Sequence, residues 1–372
     1  MPDTVCPPHY RTLLGQVPAE NYAGAPTLRR ELDAIFRPSW LCVGFTSDLK
    51  AHNDFITFQL GPHSIVVQNF KGALKAFRNV CSHRFSRIQT EACGNRSLTC
   101  PYHGWRYDGE GRPMGIPHNE TAFGLTDDDK TALALEAYAL EVVGHFVFVR
   151  MKSSGPTLRA FLGDVYDVLE HVAATCPERI ENTVHEVEAN WKLGVENGVE
   201  AYHHPLVHAD TFSYVLQPGV VMNTYGPHCT HEGILTEKSA HWWTTVTNMA
   251  RLTVSDRYRD YVSFLIFPNI VTTFTAGAFF TFQILTPLSD TRMRIASSGW
   301  LAEGAGAARQ AVIGALTAFS GKVRDEDKTI CEIAQAGVSE HGLNRPPLLG
   351  EVDNRVRHFQ RAYADCMGVG DV

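Results

Sequence analysis

Between residues 81 and 103 the chain places two cysteine-histidine pairs, Cys81 with His83 and Cys100 with His103, sixteen residues apart. Each pair offers one thiolate and one imidazole, so the fold must bring two loops to a single inorganic site. Two cysteines on one iron and two histidines on the other is the ligand set of a mixed two-iron, two-sulfur (2Fe-2S) cluster. Tetrahedral zinc accepts Cys2His2 equally well. Zinc fingers, however, usually group cysteine with cysteine and histidine with histidine. One of each per loop suits a binuclear cluster with two unlike irons.

The segments around these loops read as short strands. Phe55 to Leu60, Ser64 to Asn69 and Leu74 to Val80 carry β-type residues between glycine-containing breaks, and Glu141 to Val149 reads as a closing strand with His145 inside it. Gly104 and Gly109 are placed for tight turns beside the cluster. Before this region, residues 1 to 25 read as an extended lead-in. From Pro26 to Phe36 an amphipathic helix is expected, with Thr27 as its N-cap, Leu28, Leu32, Ile35 and Phe36 on one face, and Pro38 as its end. Helical periodicity returns at 156 to 180 and marks a second domain, with strands expected at Val184 to Ala189 and through 261 to 287. A long helix from Ala307 to Ala336 is expected to break near Ser320 and Gly321.

From Tyr261 to Ser289 no residue is charged, which is long enough to span a bilayer. Pro268, Asn269, Gly277, Gln283 and the threonines favour consecutive buried strands instead. A net charge of -7 without a long basic run excludes nucleic acid and anionic membrane surfaces as expected partners. The N-terminus lacks the cationic start and apolar core of a signal peptide. Of nine cysteines, those outside the two pairs are scattered singly, as reduced thiols of a cytoplasmic protein would be.

A second constellation spans 190 to 208, Asn-Trp-Lys-Leu-Gly-Val-Glu-Asn-Gly-Val-Glu-Ala-Tyr-His-His-Pro-Leu-Val-His. Glu196, Asn197, Glu200 and His203 repeat at helical spacing and are expected on one face, and His208 follows Pro205. His203 and His208 supply the two imidazoles of a facial triad that leaves iron positions open for O2 and substrate. A carboxylate from farther on completes it, and Asp325, Glu326 and Asp327 are the candidates.

Cys-Pro-Tyr-His-Gly-Trp-Arg-Tyr-Asp at 100 to 108 resembles the Rieske motif of the ring-hydroxylating, non-heme iron oxygenases. With the 190 to 208 stretch about a hundred residues later, the resemblance to the catalytic α subunit of that family covers nearly the full chain. It implies an α+β fold, an all-β Rieske domain (40–151) inserted in a helix-grip catalytic domain formed by 1–39 and 152–372. It also implies a Rieske cluster on Cys81, His83, Cys100 and His103, and a mononuclear Fe(II) on His203 and His208. Matching the downstream Cys331-Glu332 selects Asp327 as third ligand, with Asp325 and Glu326 left open.

The same resemblance implies a ring-shaped homotrimer in which a carboxylate three residues before the first iron histidine bridges cluster and iron of neighbouring subunits. That position is Glu200, where most relatives carry Asp; Asn197 is grouped with it as catalytic. Phe85 stands where Gly is common. Electrons are expected from NAD(P)H through a separate flavin/iron-sulfur reductase or ferredoxin, as the chain has no Gly-rich dinucleotide fingerprint. The implied activity is O2-dependent hydroxylation or oxidative demethylation of a small molecule. Glu200 leans towards amines, N-methyl or quaternary ammonium compounds, with Trp242, Trp243 and Tyr225 as a cation cage. Phe264, Phe267, Phe274, Phe279, Phe280 and Phe282 would instead line a pocket for an aromatic substrate. An electron carrier without catalytic iron is the reading from another class.

Overall fold

The alternating segments after Trp40 form antiparallel strands: β1 (Leu41–Phe45), β2 (Asp54–Leu60), β3 (His63–Phe70), β4 (Ala73–Arg78), β5 (Cys93–Asn95), β6 (Arg106–Tyr107), β7 (Pro113–Gly115), β8 (Ala137–Val143) and β9 (Phe146–Arg150). The computed structural model describes residues 13–340, 343 and 345–368. These strands belong to one of two compact units, Phe36–Phe161; the other joins the chain up to Ile35 with Leu162 onward. The first unit is therefore wider than 40–151. Trp40 Nε1 donates to the Pro156 carbonyl at 2.9 Å and Lys152 N donates to Arg37 O at 3.1 Å, which holds both flanks against it.

Its main sheet has the order β1-β9-β8-β4-β3-β2-β5, and β6 and β7 form a separate ribbon. The expected single strand at 141–149 is instead the hairpin β8–β9. Gly144 turns it at a φ of +54°, a left-handed conformation that glycine adopts without a Cβ clash, and His145 lies in that turn. Gly104 takes a φ of +73°, but beside it the second left-handed glycine is Gly111 rather than Gly109.

In the other unit, helix α1 (Ala25–Glu31) starts two residues before the expected Thr27 cap, with Gly24 at the cap and Pro26 in the first turn, where its missing N–H costs nothing. It continues as a wider turn over Leu32–Phe36 that buries Leu32, Ile35 and Phe36. Residues 1–12 of the expected lead-in lie outside the described residues. Helix α2 (Asp164–Thr175) precedes a seven-stranded antiparallel sheet of β10 (Glu178–Val187), β11 (Leu216–Tyr225), β12 (His228–Leu235), β13 (Tyr261–Ile266), β14 (Ile270–Thr275), β15 (Phe279–Pro287) and β16 (Met293–Leu301). Its order is β10-β16-β15-β14-β13-β12-β11. The uncharged run thus folds into β13, β14 and β15, and among the described residues no helix is long and apolar enough to cross a membrane.

Helices α3 (Trp191–Val199), α4 (His204–Val207), α5 (Glu237–Ala250), α6 (Arg309–Val338) and α7 (Asn354–Met367) complete this unit. α6 runs without the expected break. A glycine inside a helix costs about 1 kcal/mol, less than this helix gains by burying Val312, Leu316, Cys331 and Gln335. α3 lies close on the sheet because two of its positions lack side chains. A Cβ on Gly194 would meet Leu285 and Met293 at 2.6 Å, and one on Gly198 would meet Val271 at 3.1 Å. That close approach fixes where the end of α3 delivers the residues that follow.

Candidate active site

In the 36–161 unit, the loops after β4 and β5 carry the first ligand set. Cys81 and Cys100 are buried in a core with Phe55, Phe77, Ile88, Trp105 and Tyr107. Burial raises the Cys81 thiol, the bond from Tyr107 lowers it, and the Cys100 thiol beside it raises it again. The Tyr107 hydroxyl accepts from Ser82 N–H at 3.0 Å and also bonds Cys81 Sγ at 3.0 Å and the Ser82 hydroxyl at 3.1 Å. The His83 and His103 rings lie 4.7 Å apart, His83 stacked on Trp105 at 4.8 Å and His103 on Tyr102 at 3.8 Å.

His83 Nδ1 is buried and has no hydrogen-bond partner among the described residues, an orphaned nitrogen that a metal would satisfy. Paired thiols and paired imidazoles fit a cluster of two irons. A single zinc would need all four ligands around one point. Among the described residues, however, the group of three or more such ligand atoms gathered within 4.8 Å lies elsewhere, at His203, His208 and Asp327.

Those three meet because α3 ends at Val199, α4 follows from His204, and α6 passes beside both. His203 Nε2 and His208 Nε2 are 3.2 Å apart, and Asp327 Oδ1 lies 3.1 Å from His208 Nε2 and 3.5 Å from His203 Nε2. Adjacent ligands of an octahedral ion at about 2.1 Å are separated by about 3.0 Å, close to these edges. The donor set and spacing therefore fit a facial triad.

Each of the three has a partner behind it. His203 Nδ1 donates to Glu200 in a short contact, and His208 Nδ1 donates to Glu326 Oε2 at 2.7 Å, with Thr211 donating to the same oxygen at 2.6 Å. With both Nδ1 atoms donating to carboxylates, each ring turns its Nε2 towards Asp327 and would offer that nitrogen to a metal in place of a proton. Asn197 Nδ2 donates to Asp327 Oδ1 at 2.8 Å. Burial pulls the His203 imidazole down, but the bonds with Asp327 and Glu200 outweigh it and push it up to about 9. Burial opposes ionisation of Asp327, and the bonds from His203, His208 and Asn197 still hold its carboxyl well below the ordinary range.

Of the three carboxylates left open by the sequence, Asp327 joins the histidines, Glu326 stands behind His208, and Asp325 is exposed. The expected shared helical face does not form. α3 stops at Val199, Glu200 is extended at φ -111°, and Glu196 turns the other way, accepting from Tyr22 at 2.5 Å and Gln360 at 2.9 Å.

The triad opens into a cavity of about 710 Å³. Phe212, Trp242, Trp243, Phe279 and Phe319 form its aromatic wall, and Tyr225 is not among its lining residues. Of the six phenylalanines weighed for an apolar pocket, Phe279 alone lines it; the others are packed in the unit's core because they alternate to the far side of their strands or sit in a turn. His204 also faces the cavity, pulled down to about 3 by burial and by the neighbouring His203 and His208. Glu181 and Arg324 form an ion pair at 2.5 Å in the cavity wall that no local sequence pattern announces, since β10 and α6 are remote in sequence.

Residues 175–369 match the family model described as the ring hydroxylating alpha subunit, catalytic domain, and residues 39–138 match the Rieske [2Fe-2S] domain. The chain belongs to the ring-hydroxylating alpha-subunit family. Two curated relatives of this alpha subunit are the glycine betaine monooxygenase oxygenase subunit of Chromohalobacter salexigens and the anthranilate 1,2-dioxygenase large subunit of Acinetobacter baylyi. The first is 32% identical over 57% of this chain and 47% of the relative; the second is 32% identical over 50% and 41%. The alignments thus span about half the length of these relatives. A crystal structure of the quaternary ammonium Rieske monooxygenase CntA superposes with a TM-score of 0.78 at 21% identity, covering 95% of each chain, and so shares the fold. Family and fold imply both a Rieske cluster and a mononuclear iron.

Proposed function

We infer that this chain is the terminal oxygenase component of a Rieske-type system, with the cluster on Cys81, His83, Cys100 and His103 and the mononuclear iron on His203, His208 and Asp327. The observation that carries the reading is the convergence of one ligand atom from each of those three side chains, all within 4.8 Å of one another, in the lining of an aromatic-walled cavity. A pure electron carrier needs no such cavity. When bound, the cluster supplies electrons and the iron activates O2 for hydroxylation or oxidative demethylation.

The protein's own groups do the rest. Glu200 accepts from the His203 ring and from the backbone N–H groups of Tyr202 and His203, which fixes the tautomer and position of that imidazole. It is also the group through which proton state and electron transfer would be coupled. Glu326 does the same for His208. The aromatic wall excludes water from the bound substrate and presents π-faces that suit a cationic nitrogen. An amine, N-methyl or quaternary ammonium substrate is the favoured class, supported by relatives such as the glycine betaine monooxygenase oxygenase subunit and by the place of Trp242 and Trp243 in that wall. An aromatic substrate is the second reading, supported by the anthranilate 1,2-dioxygenase large subunit. Electrons would come from NAD(P)H through a separate reductase or ferredoxin, in a homotrimeric, cytoplasmic assembly.

The test is a single turnover. Chemically reduced, iron-loaded protein is mixed anaerobically with quaternary amines, N-methyl amines and aromatic acids, O2 is admitted, and products are identified by mass. Gain of one oxygen or loss of a methyl from an amine is the expected result. Product from aromatic acids alone would move the assignment to the second reading, and none from fully reduced, iron-loaded protein would favour the electron carrier.

A further inference from the structure

The cavity is not apolar throughout. Its floor is one face of the sheet, and the strand register sorts the side chains there into rows: Val271, Gln283 and Ser297 in one, Thr273, Thr281 and Glu181 in the next, Thr275 and Phe279 in the third. Glu181 is 8% exposed, and a carboxylate this deep needs a counter-charge. Arg324 provides it from α6, through Nη2 at 2.5 Å. Arg324 lies three residues before Asp327, about one helical turn away and on the same side of the helix. Both line the cavity. Glu181 engages one of the three guanidinium nitrogens, which together carry five N–H donors.

A second observation points to a ligand here. Ser297 lines the same floor, is 3% exposed, and its Oγ finds no hydrogen-bond partner among the described residues. A buried hydroxyl without a partner costs free energy that a bound polar group would recover.

We propose that Arg324, oriented by Glu181, and the Ser297 hydroxyl form an anion subsite that fixes the carboxylate of a zwitterionic substrate, an N-methylated amino acid. The inference rests on the oxygenase reading above and narrows its substrate class. A guanidinium already braced by a carboxylate is ordered before substrate arrives, and its free N–H groups suit a carboxylate's two oxygens. The nearly neutral Glu181–Arg324 pair accepts a molecule carrying both charges. A cation without a carboxylate would leave the remaining N–H groups of Arg324 unmatched. The aromatic wall would take the methylated nitrogen.

Equilibrium binding tests this separately from catalysis. The probes are the trimethylammonium derivatives of acetate, propanoate and butanoate, each beside its methyl ester, added to the iron-loaded protein. At least one acid is expected to bind roughly 10- to 100-fold more tightly than its ester, the range of a charge-assisted hydrogen-bonded contact. Arg324→Gln should abolish that preference and Arg324→Lys restore part of it. Ser297→Ala leaves the ion pair intact and should weaken acid binding several-fold without changing ester binding, which keeps the test decisive if Arg324→Gln fails to fold. Equal binding of acids and esters, no binding of any acid, or an unchanged preference in both Arg324→Gln and Ser297→Ala would overturn the subsite. Carboxylate-dependent binding without product after reduction and O2 would instead retain the subsite and reject the oxygenase reading.

Discussion

Asn197 Nδ2 donates to Asp327 Oδ1 at 2.8 Å, tying the end of α3 to the middle of α6 across 130 residues of sequence. The bond falls on the same carboxylate oxygen that lies nearest both histidine Nε2 atoms. Asn197 therefore positions Asp327, the proposed third iron ligand, and it also lines the cavity.

Iron content should follow this arrangement. Asp327→Ala is expected to lose mononuclear iron while the cluster spectrum stays intact, and Asp325→Ala to keep both. Asn197→Ala removes a partner behind the ligand, which typically costs 10- to 100-fold in metal affinity. Elemental analysis referenced to the cluster absorbance distinguishes these variants. Full iron in Asp327→Ala would move the third ligand to another carboxylate.

The ligands differ in how legible they were. The cluster set and the two histidines lie in short stretches whose spacing carries the chemistry. Asp327 stands among three consecutive acids, and steps of about 100° around the helix send Asp327 to the histidines, Glu326 behind His208 and Asp325 to solvent; that choice needs the path of α6. Glu196 was misplaced because periodicity runs through Val199 on paper, while the helix stops there. Glu31 and Lys192 meet across 161 residues. Their pairing, like that of Glu181 and Arg324, leaves no mark in either local segment.

Lys192 Nζ lies 2.6 Å from Glu31 Oε1, with both side chains fully buried. Trp191 Nε1 and the Tyr363 hydroxyl donate to the same carboxylate at 2.9 and 2.8 Å. Burial pulls the lysine down, and Glu31 works against that. Removing one partner strands the other charge, so Lys192→Met should destabilise the protein by about 3–5 kcal/mol. The double variant Lys192→Met, Glu31→Gln should recover a large part of it. Denaturant midpoints measure both, and a double variant no better than the single one would rule out the charge as the cause.

Glu196 predicts a pH dependence. Burial pushes its carboxyl up to about 7 from an ordinary 4.5, against the lowering effect of Tyr22, Gln360 and Lys192. A raised acid keeps its proton in the folded protein where the unfolded chain has already lost it. Stability therefore falls as pH rises from about 4.5 to about 7, and no further through this group. Glu196→Gln mimics the protonated form and still accepts the two bonds. It should gain on wild type between pH 5 and pH 8, read as the difference in denaturation midpoint; a difference that does not change with pH would exclude Glu196 as the source.

Phe85 holds a φ of +62° with its ring 80% exposed. Its N–H donates to the Cys81 carbonyl at 3.0 Å, closing the turn that presents His83. A side chain in the left-handed region costs about 1–2 kcal/mol, and this ring recovers little of that through burial. Phe85→Gly removes the clash and adds chain entropy to the unfolded state, a smaller opposing effect of about 0.5–1 kcal/mol. The variant is expected to be more stable by up to about 1 kcal/mol, with an unchanged cluster spectrum because the turn's hydrogen bond needs only backbone atoms. Thermal unfolding of the cluster-loaded protein measures the first, and visible absorbance the second. A less stable Phe85→Gly would mean that the exposed ring is held by a contact, and the place to look is another copy of this chain or a partner protein.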